Sequence, residues 1–182
     1  NRDYLYLCEG DNYIIRHNVN YNPAWTYTWT KDGIVIPTAD REQLTISYDN
    51  VNSVNKYTLE VDQNDGTCPK IGTSIVTFSP PPSVGEPSDI FECDDNTDGF
   101  YFFDLTNNDL SILNGLDTAQ YRVEYYASEA DALADNELSK IVDPSSYRNQ
   151  SPYTAETIYA RLESTDLSSC FEIVDFQINV TN

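Results

Sequence analysis

Apolar and polar residues alternate with a period of two through most of the first eighty positions. Around position 27, aromatic residues alternate with threonine, so Trp25, Tyr27 and Trp29 share one face of a predicted strand. Similar alternation occupies 44–48 and 57–61, and turn-forming residues interrupt the apolar runs every ~8–12 residues. The pattern predicts about seven strands and no helix, with Trp29 as the central core tryptophan of an immunoglobulin-like sandwich.

The second half of the chain repeats this plan and adds two short helical insertions. We expect Thr106 to cap a first helix that ends at Asn114, where a glycine follows, and Ser128 to cap a second helix over 129–138. Alternating or continuous apolar residues predict the remaining strands over 100–105, 121–125, 158–162 and 171–180.

A proline-rich segment separates the two halves. Residues 80–88 hold four of the nine prolines, which lack amide donors and restrict φ, so the segment is predicted to be an extended, fairly stiff linker. A chain of 182 residues also suits two modules of about 90 each. We therefore predict an all-β chain of two tandem immunoglobulin-like β-sandwiches, over 1–79 and 89–182, the second with short helical insertions.

The four cysteines occur at matching places in the two halves. Cys8 and Cys93 each precede the first core strand, whereas Cys68 and Cys170 each lie ten residues before the last apolar residue of the final strand. This repeat predicts two disulfides, Cys8–Cys68 and Cys93–Cys170. On the chain-entropy model, each bond restricts the unfolded chain and so stabilises the fold by about 4 kcal/mol. Disulfides also imply an oxidising location. The alternative, a metal site built from thiolates, needs cysteines about two to four residues apart, and none are that close.

The most unusual stretch follows Cys93. Asp94, Asn96 and Asp98 take the first, third and fifth positions of a D-x-N-x-D-G loop, the spacing at which oxygens converge on one hard cation. We interpret this loop as a structural Ca²⁺ site. Its predicted ligands are Asp94, Asn96, Asp98, the Phe100 carbonyl and Asp104.

The likeness of this loop to a complete EF-hand is partial. Position twelve is Leu105 instead of a bidentate glutamate, and a strand follows instead of a helix, so Asp104 is taken as the substitute ligand. The alternative interpretation is an acidic turn with a hydrated Asp-Gly corner and no metal.

The charge of the chain limits its partners. Formal net charge is −20, with ten acids against six bases in residues 1–79 and twenty against four in 80–182. Such a field repels nucleic acid and anionic lipid and attracts calcium, although it also simply keeps a protein soluble. No run of about 18 apolar residues is present, so no membrane insertion is expected. The chain begins without methionine or a signal peptide, which suggests a processed protein or a piece of a longer one.

Candidate catalytic groups are scarce. His17 is the single histidine, which removes most triads and histidine acid/base schemes, and no glycine-rich phosphate loop follows a strand. The many carboxylates form no pair in an apolar setting, so we expect no enzymatic activity. Tyrosines expected to be exposed offer a binding surface for sugars or proteins. They are Tyr6, Tyr21, Tyr101, Tyr126, Tyr147, Tyr153 and Tyr159.

Several segments resemble known repeats of bacterial surface proteins. Residues 91–106, 112–115, 125–132 and 157–163 resemble the repeat found many times in large surface proteins and gliding-motility adhesins of gliding bacteria that use type IX secretion. Cys8-Glu9-Gly10-Asp11, Tyr27-Thr28-Trp29, 57–61 and Asp65-Gly66-Thr67-Cys68 resemble the immunoglobulin-like, PKD-like repeats found beside it.

This resemblance implies a non-catalytic module of a secreted adhesin, stalk or filament on the cell surface. Neighbouring repeats of the same chain are then the expected partners, with surface glycans or other proteins as further candidates. Asp117-Thr118-Ala119 resembles the O-glycosylation signal of such bacteria, which implies a sugar on Thr118. The alternative function is a carbohydrate-binding accessory module of a secreted polysaccharide-degrading enzyme.

Overall fold

The computed structural model describes residues 2–16, 20–37, 43–50 and 53–181. The chain divides into two compact units, unit 1 (Asn1–Pro80) and unit 2 (Pro81–Asn182). His17 lies outside the described residues.

Unit 1 is a sandwich of two sheets. Its described strands are β1 (Arg2–Cys8), β2 (Asn12–Arg16), β3 (Thr26–Lys31), β4 (Ile34–Val35), β5 (Gln43–Ser47), β6 (Val54–Asp62) and β7 (Lys70–Ser79). One sheet has the order β1-β7-β6-β3-β4, and β2 pairs with β5 in the other. All of these pairs are antiparallel except β1 with β7, which is parallel.

The core of unit 1 follows the alternation in the sequence. In β6 every second side chain is buried, including Tyr57, Leu59 and Val61, because successive residues of a strand point to opposite faces. Trp29 is 4% exposed and packs in the same cluster, which confirms it as a central core residue.

Unit 2 has the same plan with helices inserted. Its strands are β8 (Ile90–Cys93), β9 (Phe102–Phe103), β10 (Tyr121–Tyr126), β11 (Tyr147–Arg148), β12 (Glu156–Ser164) and β13 (Phe171–Thr181). Its helices are α1 (Asp109–Leu113) and α2 (Glu129–Ala134), with 3₁₀ turns at Leu105–Asn108 and Pro144–Ser146. One sheet has the order β10-β12-β13-β8, and β11 pairs with β9 in the other.

The predicted helices are present with different ends. The first begins as a 3₁₀ turn that Asp104 caps by accepting from the Thr106 backbone N–H, so the prediction of Thr106 as the cap was wrong. Asn114 ends α1 in the left-handed conformation, as expected. Ser128 caps α2 by accepting from the Asp131 N–H at 3.2 Å, as expected, but the helix ends at Ala134.

Part of the proline-rich segment packs on unit 2. Gly85 donates its N–H to the Ile112 carbonyl at 3.0 Å, and Asn108 bonds both the N–H and the C=O of Ser88. Val84 packs against the unit 2 core. The residues from Val84 to Ser88 therefore pack on the second unit, whereas the whole of 80–88 was predicted to be a linker between the units.

The observed topology confirms the predicted fold class. Both units are sandwiches rich in strand, and unit 2 carries short helices. In each unit the first strand runs parallel to the last, and the register places Cys8 beside Ser79 and Cys93 beside Thr181.

Candidate functional site: the cysteines and the acidic loop

The four cysteines divide into one oxidised and one reduced set. Cys8 and Cys170 are disulfide-bonded, whereas Cys68 and Cys93 are free and exposed. Cys8 belongs to unit 1 and Cys170 to unit 2. The predicted bridges Cys8–Cys68 and Cys93–Cys170 are therefore wrong.

The strand register gives the physical reason for this correction in unit 1. Cys8 lies beside Ser79, at the carboxyl end of β7, whereas Cys68 lies just before the amino end of that strand. The ten residues of β7 span roughly 30 Å at ~3.3 Å per residue. A disulfide needs Cα atoms about 4.4–6.8 Å apart, so these two cysteines cannot meet.

Unit 2 has the same arrangement. Cys93 lies beside Thr181, the last residue of β13, and Cys170 immediately precedes Phe171, the first. The eleven residues of β13 again hold the two cysteines roughly 35 Å apart. Each unit therefore has two cysteines, one at each end of its final strand.

A tight turn fixes the backbone after Cys8. The Cys8 N–H donates to the Asp11 carboxylate at 2.9 Å, and the Asp11 N–H donates to the Cys8 carbonyl at 3.0 Å. Gly10 takes a φ of +108°, which favours glycine, and Glu9 donates to the Ser79 carbonyl. The Cys-Glu-Gly-Asp sequence therefore holds Cys8 at the end of the sheet.

Cys170 is held by the turn that joins β12 to β13. Its N–H donates to the Leu167 carbonyl at 2.9 Å, and its carbonyl accepts from the Ser164 N–H at 3.1 Å. Arg161 donates to the Ser168 carbonyl at 2.7 Å and to the Ala132 carbonyl of α2 at 2.9 Å. One arginine therefore ties the cysteine turn to the nearby helix.

Arg161 belongs to a buried ionic network. It is 2% exposed, its Nε lies 2.7 Å from the Glu163 carboxylate, and its guanidinium stacks 3.4 Å from the centre of the Phe171 ring. Glu163 is fully buried and also accepts from Arg122 at 2.6 Å, which raises the pKa of that guanidinium. Sequence reasoning missed this network, although two charges at alternate positions of a strand expected to be buried were a usable signal.

The acidic loop of unit 2 is organised around the Asp94 carboxylate. That carboxylate accepts from the backbone N–H groups of Asn96, Thr97 and Gly99 at 2.8–3.0 Å and from the Tyr153 hydroxyl at 2.5 Å. The hydrogen bond from Tyr153 is the main reason that the pKa of Asp94 falls to about 2. Asp94 is thus held as an anion within a ring of donors.

The remaining predicted calcium ligands lie in or beside this loop. Asn96 accepts from the Asp98 N–H at 2.9 Å, and Asp98 accepts from the Phe100 N–H at 2.8 Å. Asp104 instead caps the 3₁₀ turn by accepting from the backbone and hydroxyl of Thr106. The loop therefore has a hydrogen-bonded form that needs no ion, and calcium binding stays a prediction.

Asn149 holds the acidic loop against the rest of unit 2, and Gly99 allows the close approach. Asn149, 3% exposed, accepts from the Tyr101 N–H at 2.8 Å and donates to the Gly99 carbonyl at 2.9 Å. Gly99 has a φ of +78°, and an added Cβ would lie 2.6 Å from Pro152 and 2.8 Å from the Tyr153 ring. Glycine is required here by both conformation and space.

A second group of acids adjoins the ionic network of the same unit, since Arg122 lies 3.3 Å from Glu124 and Arg161 lies 4.0 Å from Asp135. Within the described part of the chain, Glu124, Asp135 and Glu137 come close enough to share a cation. Lys140, however, already bridges Glu124 at 2.9 Å and Glu137 at 2.8 Å, and the Tyr126 hydroxyl donates to Asp135 at 3.0 Å. These partners give the group a structural role.

The tyrosines predicted to be exposed differ in their burial. Tyr6 is 60% exposed, and Tyr21 and Tyr153 are also exposed, although Tyr153 is engaged by Asp94. Tyr101, Tyr147 and Tyr159 are partly buried. Tyr126 is fully buried, so its predicted exposure was wrong; its ring packs inward while its hydroxyl reaches Asp135.

Thr118 is exposed beside a turn in which Asp117 accepts from the Ala119 N–H, and its glycosylation stays a prediction.

Fold and cysteines together define an immunoglobulin-like, disulfide-bonded module of the kind found in secreted proteins. No helix in the described residues is long and apolar enough to cross a membrane. Residues 89–182 match the family described as the Flavobacterium inter-domain disulphide bond domain, and the chain belongs to that family.

Solved structures with similar folds are distant in sequence. They include immunoglobulin domains 1–4 of Sidekick-1, at 12% identity and a TM-score of 0.41, covering 100% of this chain and 47% of that one. A titin I-band fragment has 14% identity and a TM-score of 0.43, covering 98% and 62%. The SGBP-B protein of the Bacteroides ovatus mixed-linkage glucan utilization locus, solved with a heptasaccharide, has 14% identity and a TM-score of 0.36, covering 98% and 42%. This chain spans less than half the length of the first and the last of these. No curated protein gives a significant match.

Proposed function

We propose that this chain is a non-catalytic, load-bearing pair of modules from a large extracellular adhesin, stalk or filament, and that a Cys8–Cys170 disulfide joins its two units. The observation that carries the proposal is the oxidation state of the cysteines. Cys8 in unit 1 and Cys170 in unit 2 are oxidised, while the other two are thiols. The description of the family, which names an inter-domain disulfide, supports the same pairing.

Such a bond changes how tension passes through the chain. Cys8 lies seven residues after the first residue, and Cys170 lies twelve before the last. Tension applied at the two ends would run through β1, the sulfur bridge and β13, and the 161 residues between the cysteines would carry none of it. The 161 residues between the cysteines would then be protected from loads that extend them in an unbridged chain, which suits a stalk or filament.

Cleavage between the units tests the pairing directly. A protease site is inserted between Pro80 and Pro81, at the boundary of the units. After cleavage, the halves should migrate as one species without reductant and as two with it. Two species without reductant would contradict the proposal, because bridges within units leave the halves unconnected. A Cys8→Ser variant with the same site is the control and should separate in both conditions.

We also propose the cell surface of type IX secreting bacteria as the location, and neighbouring repeats of the parent chain as the partners. The resemblance of residues 91–106 to gliding-motility adhesin repeats supports this. Expression of the parent protein with an antibody against unit 2 tests it: labelling of intact cells is expected, and labelling only after lysis would contradict it.

Calcium at the acidic loop would add rigidity to unit 2. The D-x-N-x-D-G spacing supports it, together with the fixed Asp94 anion. Asn96, Asp98 and the Phe100 carbonyl would supply further oxygens, whereas Asp104 would first have to leave Thr106.

A carbohydrate-binding accessory module remains the alternative function. The observation that favours it is a pair of exposed tyrosines, Tyr4 at 63% and Tyr6 at 60%, two residues apart on one face of β1. Rings in such a row can stack on sugars. A glycan array should then show binding that Tyr4→Ala and Tyr6→Ala abolish, whereas an array without any signal would exclude this function.

A further inference from the structure

The first strand of unit 1 forms an open edge of its sheet. β1 is the outermost strand in the order β1-β7-β6-β3-β4, and its seven residues make it the longest edge strand among the described residues. The opposite edge, β4, has only two residues, and in unit 2 the edge of β10 is partly covered by Lys140 and Ile141. An open edge is a template for pairing with another strand.

Every second residue of β1 bonds β7, and the residues between them face outward. The Glu9 N–H donates to the Ser79 carbonyl at 2.9 Å, and the odd-numbered residues before Glu9 repeat that bonding in the parallel register. The backbone N–H and C=O groups of Tyr4 and Tyr6 therefore point away from β7.

The next residue of this outward set, Cys8, has both of its backbone groups occupied. Its N–H donates to the Asp11 carboxylate at 2.9 Å, and its carbonyl accepts from the Asp11 N–H at 3.0 Å. Within the described part of the chain, no residue bonds the outward groups of Tyr4 and Tyr6 in this way. Two donors and two acceptors are therefore open in the middle of the edge.

The side chains beside these open groups are exposed tyrosines. Tyr4 is 63% exposed and Tyr6 is 60% exposed on the outer face of the sheet, whereas Leu5 and Leu7 pack toward the core. Between Tyr4 and Cys8 the strand has no proline and no charged residue, which are the usual means of blocking an edge. The middle of β1 is thus suited to pairing in both its backbone and its side chains.

We propose that β1 pairs with β1 of a second copy of this chain, antiparallel and around a two-fold axis at Leu5. Tyr4 of one copy then lies opposite Tyr6 of the other, and each of these two pairs exchanges both of its N–H···O=C bonds. The resulting bonds use every open donor and acceptor of the four tyrosines. Among antiparallel registers, only this one sets both tyrosines of each copy opposite tyrosines, and cross-strand aromatic pairs stabilise a sheet.

Charge and area both fit a weak contact between copies. Unit 1 has four more acids than bases, whereas residues 80–182 have sixteen more, so two copies that meet through unit 1 repel each other least. Four tyrosines that are about 60% exposed offer roughly 500 Å² of surface, which is less than the ~1,200 Å² of a stable interface. The pairing is therefore weak for one chain and becomes stronger where many copies are displayed side by side. This lateral contact goes beyond the partners proposed above and does not require the Cys8–Cys170 bond.

Sedimentation equilibrium of the whole chain measures the pairing. Cys68→Ser with Cys93→Ser removes the free thiols, so that no disulfide dimer interferes, and ~0.15 M salt screens charge repulsion beyond about 8 Å. Dimers are expected at about 1 mM protein, and Tyr4→Ala with Tyr6→Ala should weaken the association at least about tenfold. The matched control is Tyr13→Ala, which removes a tyrosine that is 44% exposed on β2 and should leave the association unchanged. Monomers alone at that concentration, or equal weakening by the control, would overturn the inference.

Cross-linking tests the register in the same thiol-free background. A Tyr4→Cys chain is mixed with a Tyr6→Cys chain under mild oxidation. Opposed residues of a hydrogen-bonded antiparallel pair have Cα atoms about 5.5 Å apart, which suits a disulfide. Disulfides between the two different variants should therefore form at least about tenfold faster than disulfides within either variant alone. Equal rates, or faster bonding of like chains, would overturn the inference. The Cys8–Cys170 peptide is followed in the same digests, so a failure of the proposed function is seen separately.

Discussion

Replacement of Arg161 by methionine should strongly destabilise unit 2. The change removes the 2.7 Å ion pair with Glu163 and two hydrogen bonds to backbone carbonyls while it keeps most of the side-chain volume. Because Glu163 is fully buried, its charge is left with Arg122 alone. Loss of one partner of a buried pair costs about 3–5 kcal/mol, so the free energy of unfolding should fall by that amount.

Native-state hydrogen exchange of the whole chain measures this effect. Amides of β12 and β13 should exchange at least about 100-fold faster in Arg161→Met, since ~1.4 kcal/mol corresponds to a factor of ten. Both tryptophans, Trp25 and Trp29, lie in unit 1, so their fluorescence serves as an internal reference and should not change.

Two further variants separate charge burial from packing. Arg122→Met removes a guanidinium whose side chain is 47% exposed and should cost about 1 kcal/mol or less. The double variant Arg161→Met with Glu163→Leu removes the uncompensated charge and should recover most of the stability. Equal losses for Arg161→Met and Arg122→Met, or no recovery in the double variant, would show that the uncompensated charge of the buried Glu163 is not the cause of the destabilisation.

Three other predictions concern the acidic loop. Gly99→Ala should lower the stability of unit 2 by about 2 kcal/mol or more in thermal unfolding. The control, Gly115→Ala, has a φ of +85° and open space around it, so it should cost only about 1 kcal/mol. Equal losses would contradict the predicted clash. Because the folded pKa of Asp94, about 2, lies below its unfolded value of ~3.9, its ionised form contributes stability above about pH 4 that is lost as pH falls toward 2. Tyr153→Phe should raise that pKa in a carboxyl NMR titration, and an unchanged value would refute the role of the hydroxyl. Calcium should raise the melting temperature of unit 2, and excess chelator should reverse that rise. Asp98→Asn should make the calcium-induced rise smaller. An unchanged melting curve would contradict a metal at this loop.

The sandwich architecture was predictable because one face of each strand is buried. The alternation around Trp29 and along β6 reports that burial directly, and the cap at Ser128 reports a local hydrogen bond. Both signals depend only on neighbours in the sequence. The same holds for the acidic loop, whose spacing predicts the turn that forms around Asp94.

The disulfide pairing was not predictable from spacing. Matching positions of Cys8 and Cys93 revealed a repeat, but the repeat does not say which ends of a strand the cysteines occupy. Only the parallel register of β1 with β7 shows that Cys8 and Cys68 lie at opposite ends. The role of Asp104 was missed for a similar reason, because a cap and a metal ligand need the same residue type.

Single-molecule extension of the oxidised chain, held at its first and last residues, tests whether a bond between Cys8 and Cys170 carries the tension. If Cys8 and Cys170 are bonded, only the nineteen residues outside them can lengthen, and 161 residues stay enclosed. At roughly 3.4 Å per residue, we expect about 65 Å of extension before reductant is added and about 550 Å more after it. Extension of the residues between the two cysteines without reductant would contradict the Cys8–Cys170 bond.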